Sequence, residues 1–182
     1  MIQRTRFAVL PLLMVSLAVS AQAQKSSVVT DLINDVSQVE QKLVALAKAF
    51  PGTAYGWRPA PTVRSVGEVM LHVASDNYLI PAAVGHSAPA ATGITTDYKT
   101  AEAFEKRTMS PEQTVKEMQA SFAHLKSMMS MTTEADMKKE VTMFGSKMTM
   151  QQVWILTATH LHEHLGQAIA YARSNGVKPP WS

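Results

Sequence analysis

The sequence of 182 residues contains no cysteine. Disulfide bridges, thiolate metal sites, thiol nucleophiles and a lipid-modified cysteine behind a signal peptide are therefore excluded. Aromatic residues make up only 7% of the chain and hydrophobic residues 46%, a balance that favours helices over a β-sandwich. The net charge is only +3 and no dense run of Lys and Arg occurs, so we expect no nucleic-acid partner.

Long hydrophobic runs are also scarce. The apolar run at residues 7–19 is too short to span a bilayer comfortably, and no stop-transfer stretch follows it. Arg4 and Arg6 precede this run, and Ala21-Gln22-Ala23 matches a signal-peptidase site. The pattern predicts a signal peptide over residues 1–23, with an uncleaved anchor helix as the alternative. The remaining domain, residues 24–182, would be periplasmic or secreted, nearly neutral, and without stable membrane insertion.

Four segments carry apolar residues at every third or fourth position, which predicts four helices. Capping boxes mark the start of the second and fourth helices, at Ser65 with Glu68 and at Thr149 with Gln152. We expect helices over about residues 27–50, 65–85, 110–129 and 149–175. A linker over about residues 86–99 and a short helical turn over residues 100–107 separate the second helix from the third, and residues 140–148 are expected to be extended. The sequence thus predicts an all-α fold, a four-helix bundle with a long crossover connection.

Three histidines lie close together in the fourth predicted helix, in the segment His160-Leu161-His162-Glu163-His164. His160 and His164 are four residues apart, so they share one helix face and both rings can reach one metal ion. The same face continues with Gln167 and Tyr171. His162 is rotated about 200° away from His160 and cannot join them. Two partly exposed histidines without a metal are the alternative interpretation.

A third histidine, His72, lies midway along the second helix. Facing helices in a bundle approach to about 8–10 Å, so His72 could complete a three-histidine site with one open position, the pattern of catalytic zinc. Asp76 and Glu68 lie one turn either side of His72 and could orient its ring or act as a base. His86 and His124 have no partner spacing, and we expect both to be surface or loop residues.

Two other metal patterns are weaker. The string His160-x-x-Glu163-His164 matches a metalloprotease motif, but that class needs a later acidic ligand and the chain has no Asp or Glu after Glu163. We therefore expect Glu163 to be a solvated surface residue, with a supporting role behind the metal ligands as the alternative. Seven methionines between Met128 and Met150 could bind Cu(I), but they more simply fill gaps in the core.

Three segments resemble the DinB-like (YfiT-like) family: SVGEVMLH at residues 65–72, HLHEHLGQ at residues 160–167, and NGVKPP at residues 175–180. The resemblance implies a four-helix bundle with a crossover, frequent homodimers, and a divalent metal, zinc or nickel, on His72, His160 and His164. Some relatives are thiol-dependent transferases or isomerases, others are described as metal-dependent hydrolases, and many have no known activity.

Two functions follow from these observations. In the first, the protein is a metal-dependent hydrolase or transferase that acts on an unknown small-molecule substrate. The predicted export argues against a cytosolic thiol as co-substrate. In the second, it is a non-catalytic metal-binding or stress-response bundle.

The side of the fourth helix opposite the histidines is also apolar. It carries Trp154, Ile155, Ala158, Leu165 and Ile169, with Leu161 beside them. Because a helix that is apolar all round is buried on both sides, we expect a homodimer that covers this face. The alternative cover is the N-terminal segment or the loop at residues 55–57.

The processing prediction can be tested directly. We expect the mature protein recovered from the periplasm to begin at Gln24, because cleavage follows the small residue Ala23. N-terminal sequencing of the soluble exported fraction measures this. An intact Met1 in that fraction would contradict the export prediction.

Overall fold

The computed structural model of the protein describes residues 26–182. The predicted signal peptide and its cleavage site lie outside these residues. The described part contains five α-helices, three single-turn 3₁₀ helices and one β-hairpin. The helices are α1 Ser27–Ala49, α2 Val66–Ala83, α3 Tyr98–Glu105, α4 Pro111–Ser130 and α5 Met150–Ser174; the strands are β1 Glu140–Met143 and β2 Ser146–Thr149.

Helices α1, α2, α4 and α5 form the predicted four-helix bundle. Both α1 and α2 pack against α4 and α5. Helix α3 lies on the crossover between α2 and α4 and packs against α2. It corresponds to the short helical turn predicted at residues 100–107, and it begins two residues earlier. No helix within residues 26–182 has the length and apolar character of a membrane span.

The capping boxes predicted from the sequence begin two of the bundle helices. The Ser65 hydroxyl accepts from the backbone N–H of Glu68, and the Thr149 hydroxyl accepts from that of Gln152. In each case the side chain of the third helical residue accepts from the backbone N–H of the cap. A third capping box, formed by Ser110 and Gln113, begins α4. These bonds satisfy backbone donors that a helix start otherwise leaves free, so they set where the helices begin.

The extended segment predicted at residues 140–148 is an antiparallel hairpin. Glu140 pairs with Thr149, and Met143 pairs with Ser146. The two turn residues, Phe144 and Gly145, both have positive φ, 51° and 78°. This is the geometry of the type I′ turn that two-residue hairpins favour. The hairpin leads directly into α5 and helps to fix the start of that helix.

Helix α2 is buried on nearly all sides. Almost every residue from Val66 to Ala82 is inaccessible to solvent, including the polar residues His72, Asp76 and Asn77. A helix buried on all sides usually carries few polar residues, and those that it has need internal partners. The polar residues of α2 therefore indicate where a site lies.

The apolar outer face of α5 is covered by the chain itself. Trp154 and Leu161 are at most 1% exposed, and the same helix packs against α1 and the turn at residues 136–138. The Trp154 Nε1–H donates to Thr132 Oγ1 at 3.0 Å. Ala158 and Leu165 on this face are buried as well, whereas Ile169 is only partly buried. The homodimer stays a prediction, and Ile155 is the exposed apolar residue on that side.

Two smaller expectations also have outcomes. Met129, Met137 and Met143 are fully buried in the hydrophobic core, which favours core filling over Cu(I) binding. His124 is not a surface residue. It is half-buried on α4, with its ring centroid 5.3 Å from that of Tyr78. Burial, and to a smaller extent the charge of the nearby His86, lowers the pKa of His124.

The coverage of α5 gives a stability prediction. We expect Trp154→Ala to lower the free energy of unfolding by about 3–5 kcal/mol, because it leaves a large cavity and an unpaired Thr132 hydroxyl. The neighbouring exposed Ile155→Ala is the control and should change it by no more than about 0.5 kcal/mol. Urea unfolding of both variants, in chelator, makes the measurement. Equal, small effects would mean that the Trp154 side is not part of the core.

Candidate metal centre

The structure brings His72, His160 and His164 together. His72 lies in the middle of α2 and the other two lie on α5, and these helices pack against each other. One ring nitrogen from each histidine lies within 4.8 Å of the others. His72 and His164 are buried, and His160 is partly buried. The juxtaposition predicted from helical spacing is therefore confirmed, and the three residues could hold a metal ion.

His164 has one ring nitrogen held and one left free. Its Nδ1 lies 2.8 Å from Gln167 Oε1, and its Nε2 is buried without a hydrogen-bond partner among residues 26–182. Because an amide oxygen only accepts, Nδ1 carries the proton and the lone pair lies on Nε2. Burial lowers the pKa of His164 to about 4. The ring is therefore neutral near pH 7, the form that binds metals.

Gln167 is itself held in place by a chain of hydrogen bonds. Its Nε2 donates to the Tyr171 hydroxyl at 3.1 Å, and that hydroxyl donates to the Arg64 carbonyl at 3.1 Å. The Tyr171 ring also packs edge-on against Trp57, at 5.3 Å between centroids. Trp57 thus anchors its loop against Tyr171 and supports the side of the centre behind His164.

His72 shows the same arrangement. Its Nδ1 lies 2.5 Å from Glu105 Oε1 on α3, and its Nε2 faces Asp76 Oδ2 at 3.4 Å. The Nε2 atoms of His72 and His164 are thus both directed away from the residues that hold their Nδ1 atoms. The His72 and His164 rings are 4.5 Å apart between centroids.

Asp76 lies beside two of the three histidines. Its Oδ2 is 2.7 Å from His160 Nε2 and 3.4 Å from His72 Nε2. Its Oδ1 is buried and has no hydrogen-bond partner in the described part of the chain. The carboxylate is therefore placed where it can either bind an ion or accept a hydrogen bond from a group that does.

Glu68 does not take the role considered for it. Its carboxylate accepts from the Ser65 backbone N–H at 2.7 Å and pairs with Arg58 at 3.0 Å. Capping the helix thus holds Glu68 away from His72. The acid that does hold His72 is Glu105.

Glu105 is the functional residue that the sequence did not indicate. It is buried, and Arg64 binds its carboxylate with Nε at 2.8 Å and Nη2 at 3.3 Å. Burial alone would raise the Glu105 pKa, but the hydrogen bonds from His72 and Arg64 hold that pKa below its usual value. Glu105 has no spacing relation to His72, since 33 residues separate them. Only the fold brings them together.

The remaining residues of the histidine segment lie outside the centre. His162 is exposed, and its Nε2 lies 2.9 Å from Asp35 Oδ2 on α1. Its exclusion by helical phase is confirmed. Glu163 is exposed, which favours the surface role expected for it.

The donor set fits a divalent ion. Imidazole nitrogens are ligands that zinc and nickel accept, and three of them would leave a fourth position for Asp76 or for a small ligand. A buried nitrogen lone pair without a partner, such as His164 Nε2, is costly in a protein interior unless something binds it. The residues present are therefore compatible with a metal, and they do not identify which one.

The comparisons with known proteins agree with this fold. The family model of the DinB superfamily matches residues 35–168. A DinB-like protein from Bacillus cereus has a TM-score of 0.69 at 14% identity, covering 83% of this chain and 95% of its own. A DinB-like protein from Bacillus subtilis has a TM-score of 0.62 at 18% identity, covering 81% and 93%. A conserved protein from Enterococcus faecalis has a TM-score of 0.67 at 18% identity, covering 81% and 96%. No protein of curated function matches the chain.

The ligand assignment gives a prediction. We expect His72→Ala, His160→Ala or His164→Ala to weaken zinc binding by an order of magnitude or more, because each removes one of three donors. His162→Ala is the matched control and should bind nearly as tightly as the wild type. Competition with a chelating dye measures the affinities. Loss of zinc from His162→Ala as complete as from His160→Ala would contradict the assignment.

Proposed function

The chain belongs to the DinB superfamily, and we propose that it is a metal-dependent hydrolase or transferase with a divalent ion on His72, His160 and His164. The observation that carries the proposal is the cluster itself: three ring nitrogens within 4.8 Å, one of them buried and unpaired. Zinc or nickel is favoured, because imidazole suits both ions.

An ion in this position would supply Lewis acidity, by polarising a substrate oxygen or lowering the pKa of a coordinated water toward about 7. Three protein ligands, rather than four, are typical of catalytic and not structural zinc sites. The open position is what distinguishes this proposal from a purely structural site.

We assign the general base to Asp76. Its carboxylate lies within 3.4 Å of the Nε2 atoms of both His72 and His160, and its Oδ1 has no partner among residues 26–182. A carboxylate in that place can accept a proton from a nucleophile that approaches the open position. Its neighbours on α2 are buried, so its position is rigid.

Of the three histidines, His160 is the most accessible from solvent. The His160 side chain is 24% exposed, whereas that of His72 is 7% exposed. A cleft of about 520 Å³ is lined by Glu105 and Gln167, the residues that hold His72 and His164, and not by the histidines themselves. Its other charged residues have both signs: Arg58, Arg64 and Lys106 are basic, and Glu68 and Glu102 are acidic. This lining suits a small polar substrate.

A second function, metal binding without catalysis, is favoured by a different observation. His72 and His164 are about 5% exposed, and each has its Nδ1 nitrogen satisfied by the protein. An ion in so enclosed a place would contribute directly to folding stability. In that case the loaded protein would be more stable but would turn over no substrate.

One variant separates the two functions. We expect Asp76→Asn to bind zinc within about tenfold of the wild-type affinity, because all three histidines stay. We expect it to lower turnover by 100-fold or more, because general-base catalysis contributes about 10²–10⁴-fold. The measurements are metal content and a panel of hydrolase and thiol-transfer assays, with and without chelator.

Glu163→Gln is the control, since it neutralises an exposed carboxylate on the same helix as His160 and His164. It should match the wild type in both measurements. Zinc-loaded wild-type protein that is inactive across the panel, but more resistant to heat than the metal-free protein, would favour the non-catalytic function.

A further inference from the structure

We propose that Glu105 is a positioning residue for the metal ligand His72, so that the crossover helix α3 forms part of the metal centre. This inference rests on the proposed metal binding. It adds to the centre a residue, and an element of the fold, that the histidine motif does not contain.

The first step is the contact between Glu105 and His72. Glu105 Oε1 lies 2.5 Å from His72 Nδ1, and both side chains are less than 10% exposed. An ionised carboxylate only accepts hydrogen bonds, so Nδ1 is the donor and Nε2 carries the lone pair. Metal-binding histidines are commonly held in this way, because the bond fixes the tautomer and the ring orientation and makes the free nitrogen more basic.

The second step is that Glu105 is itself held rigidly. Arg64 binds its two oxygens with Nε at 2.8 Å and Nη2 at 3.3 Å. A two-point guanidinium contact restricts the carboxylate in direction as well as distance. The orientation of His72 therefore depends on a residue of the loop before α2 and a residue of the crossover.

The third step is that Arg64 also supports the second histidine. Its carbonyl oxygen accepts from the Tyr171 hydroxyl, which accepts from Gln167, and Gln167 accepts from His164 Nδ1. The side chain of Arg64 thus leads to His72 on α2, and its backbone leads to His164 on α5. One loop residue links the supports of two ligands that lie on different helices.

A variant series tests the positioning role. We expect Glu105→Ala to weaken zinc binding about 10–100-fold, the usual effect of removing a residue that orients a ligand. Glu105→Gln keeps an acceptor of the same size but loses the charge, so its zinc affinity should fall less than that of Glu105→Ala. Arg64→Lys keeps the charge but loses the two-point contact, and it should also weaken binding. Glu102→Gln is the control, because Glu102 is exposed on the same helix.

The measurements are zinc affinity by dye competition, the unfolding midpoint of the metal-free protein, and the visible absorption of the Co²⁺-loaded protein. A changed ligand basicity should shift the Co²⁺ bands of Glu105→Gln, whereas those of Glu102→Gln should superimpose on the wild type. If Glu105 only stabilised the fold, its replacement would lower the unfolding midpoint without moving the Co²⁺ bands.

The outcomes are distinct. Wild-type protein that binds neither zinc nor Co²⁺ would overturn the proposed function. Wild-type protein that binds zinc, with Glu105→Gln at wild-type affinity and with unshifted Co²⁺ bands, would overturn the positioning role alone. This holds even if Glu105→Ala binds less zinc because it is partly unfolded.

Discussion

The packing of α2 against α5 brings three imidazole rings together and buries two of them, His72 and His164, and much of the surrounding structure follows from that burial. A ring placed there must have its nitrogens satisfied, or it destabilises the fold. His72 and His164 meet this requirement with partners at Nδ1, Glu105 and Gln167, which leaves both Nε2 atoms directed into the space between the helices. The same hydrogen bonds that make the burial tolerable therefore also present the lone pairs to an ion.

The partners at Nδ1 require support in turn, and this explains why buried polar residues continue outward from the centre. Glu105 is a buried carboxylate, which would be costly without the Arg64 guanidinium beside it. Gln167 would be free to rotate without Tyr171. Because each group is satisfied by the next, the network ends at Arg64, whose side chain is about one-third exposed. A chain of this kind is more rigid than separate pairs, since no member can turn without breaking a second bond.

The sequence predicted the parts of this arrangement that depend on short spacings. Four residues separate His160 from His164, so helical periodicity alone assigned them to one face and excluded His162. Capping boxes at Ser65 and Thr149 located the starts of the two helices that carry the ligands. By contrast, Glu105 pairs with His72 across 33 residues, and Asp76 with His160 across 84. No periodicity operates over such distances, so these pairs required the fold. What covers the outer face of α5 also depends on the fold. Apolar residues show that Trp154 is buried, but they do not show whether α1 or a second copy covers it.

The crossover is where the fold and the proposed chemistry meet. In a bundle of four helices, a long connection is needed only when consecutive helices are not antiparallel neighbours, and it otherwise costs conformational entropy. Here it carries α3, which packs against α2 and delivers Glu105 to His72. An ion bound at the histidines would strengthen the His72–Glu105 bond, because coordination at Nε2 makes the Nδ1 proton a better donor. By the reciprocity of linked equilibria, whatever holds α3 against α2 also favours the ion. The crossover, the least regular connection in the sequence, is thus the part of the chain through which metal binding and the order of the bundle would depend on each other.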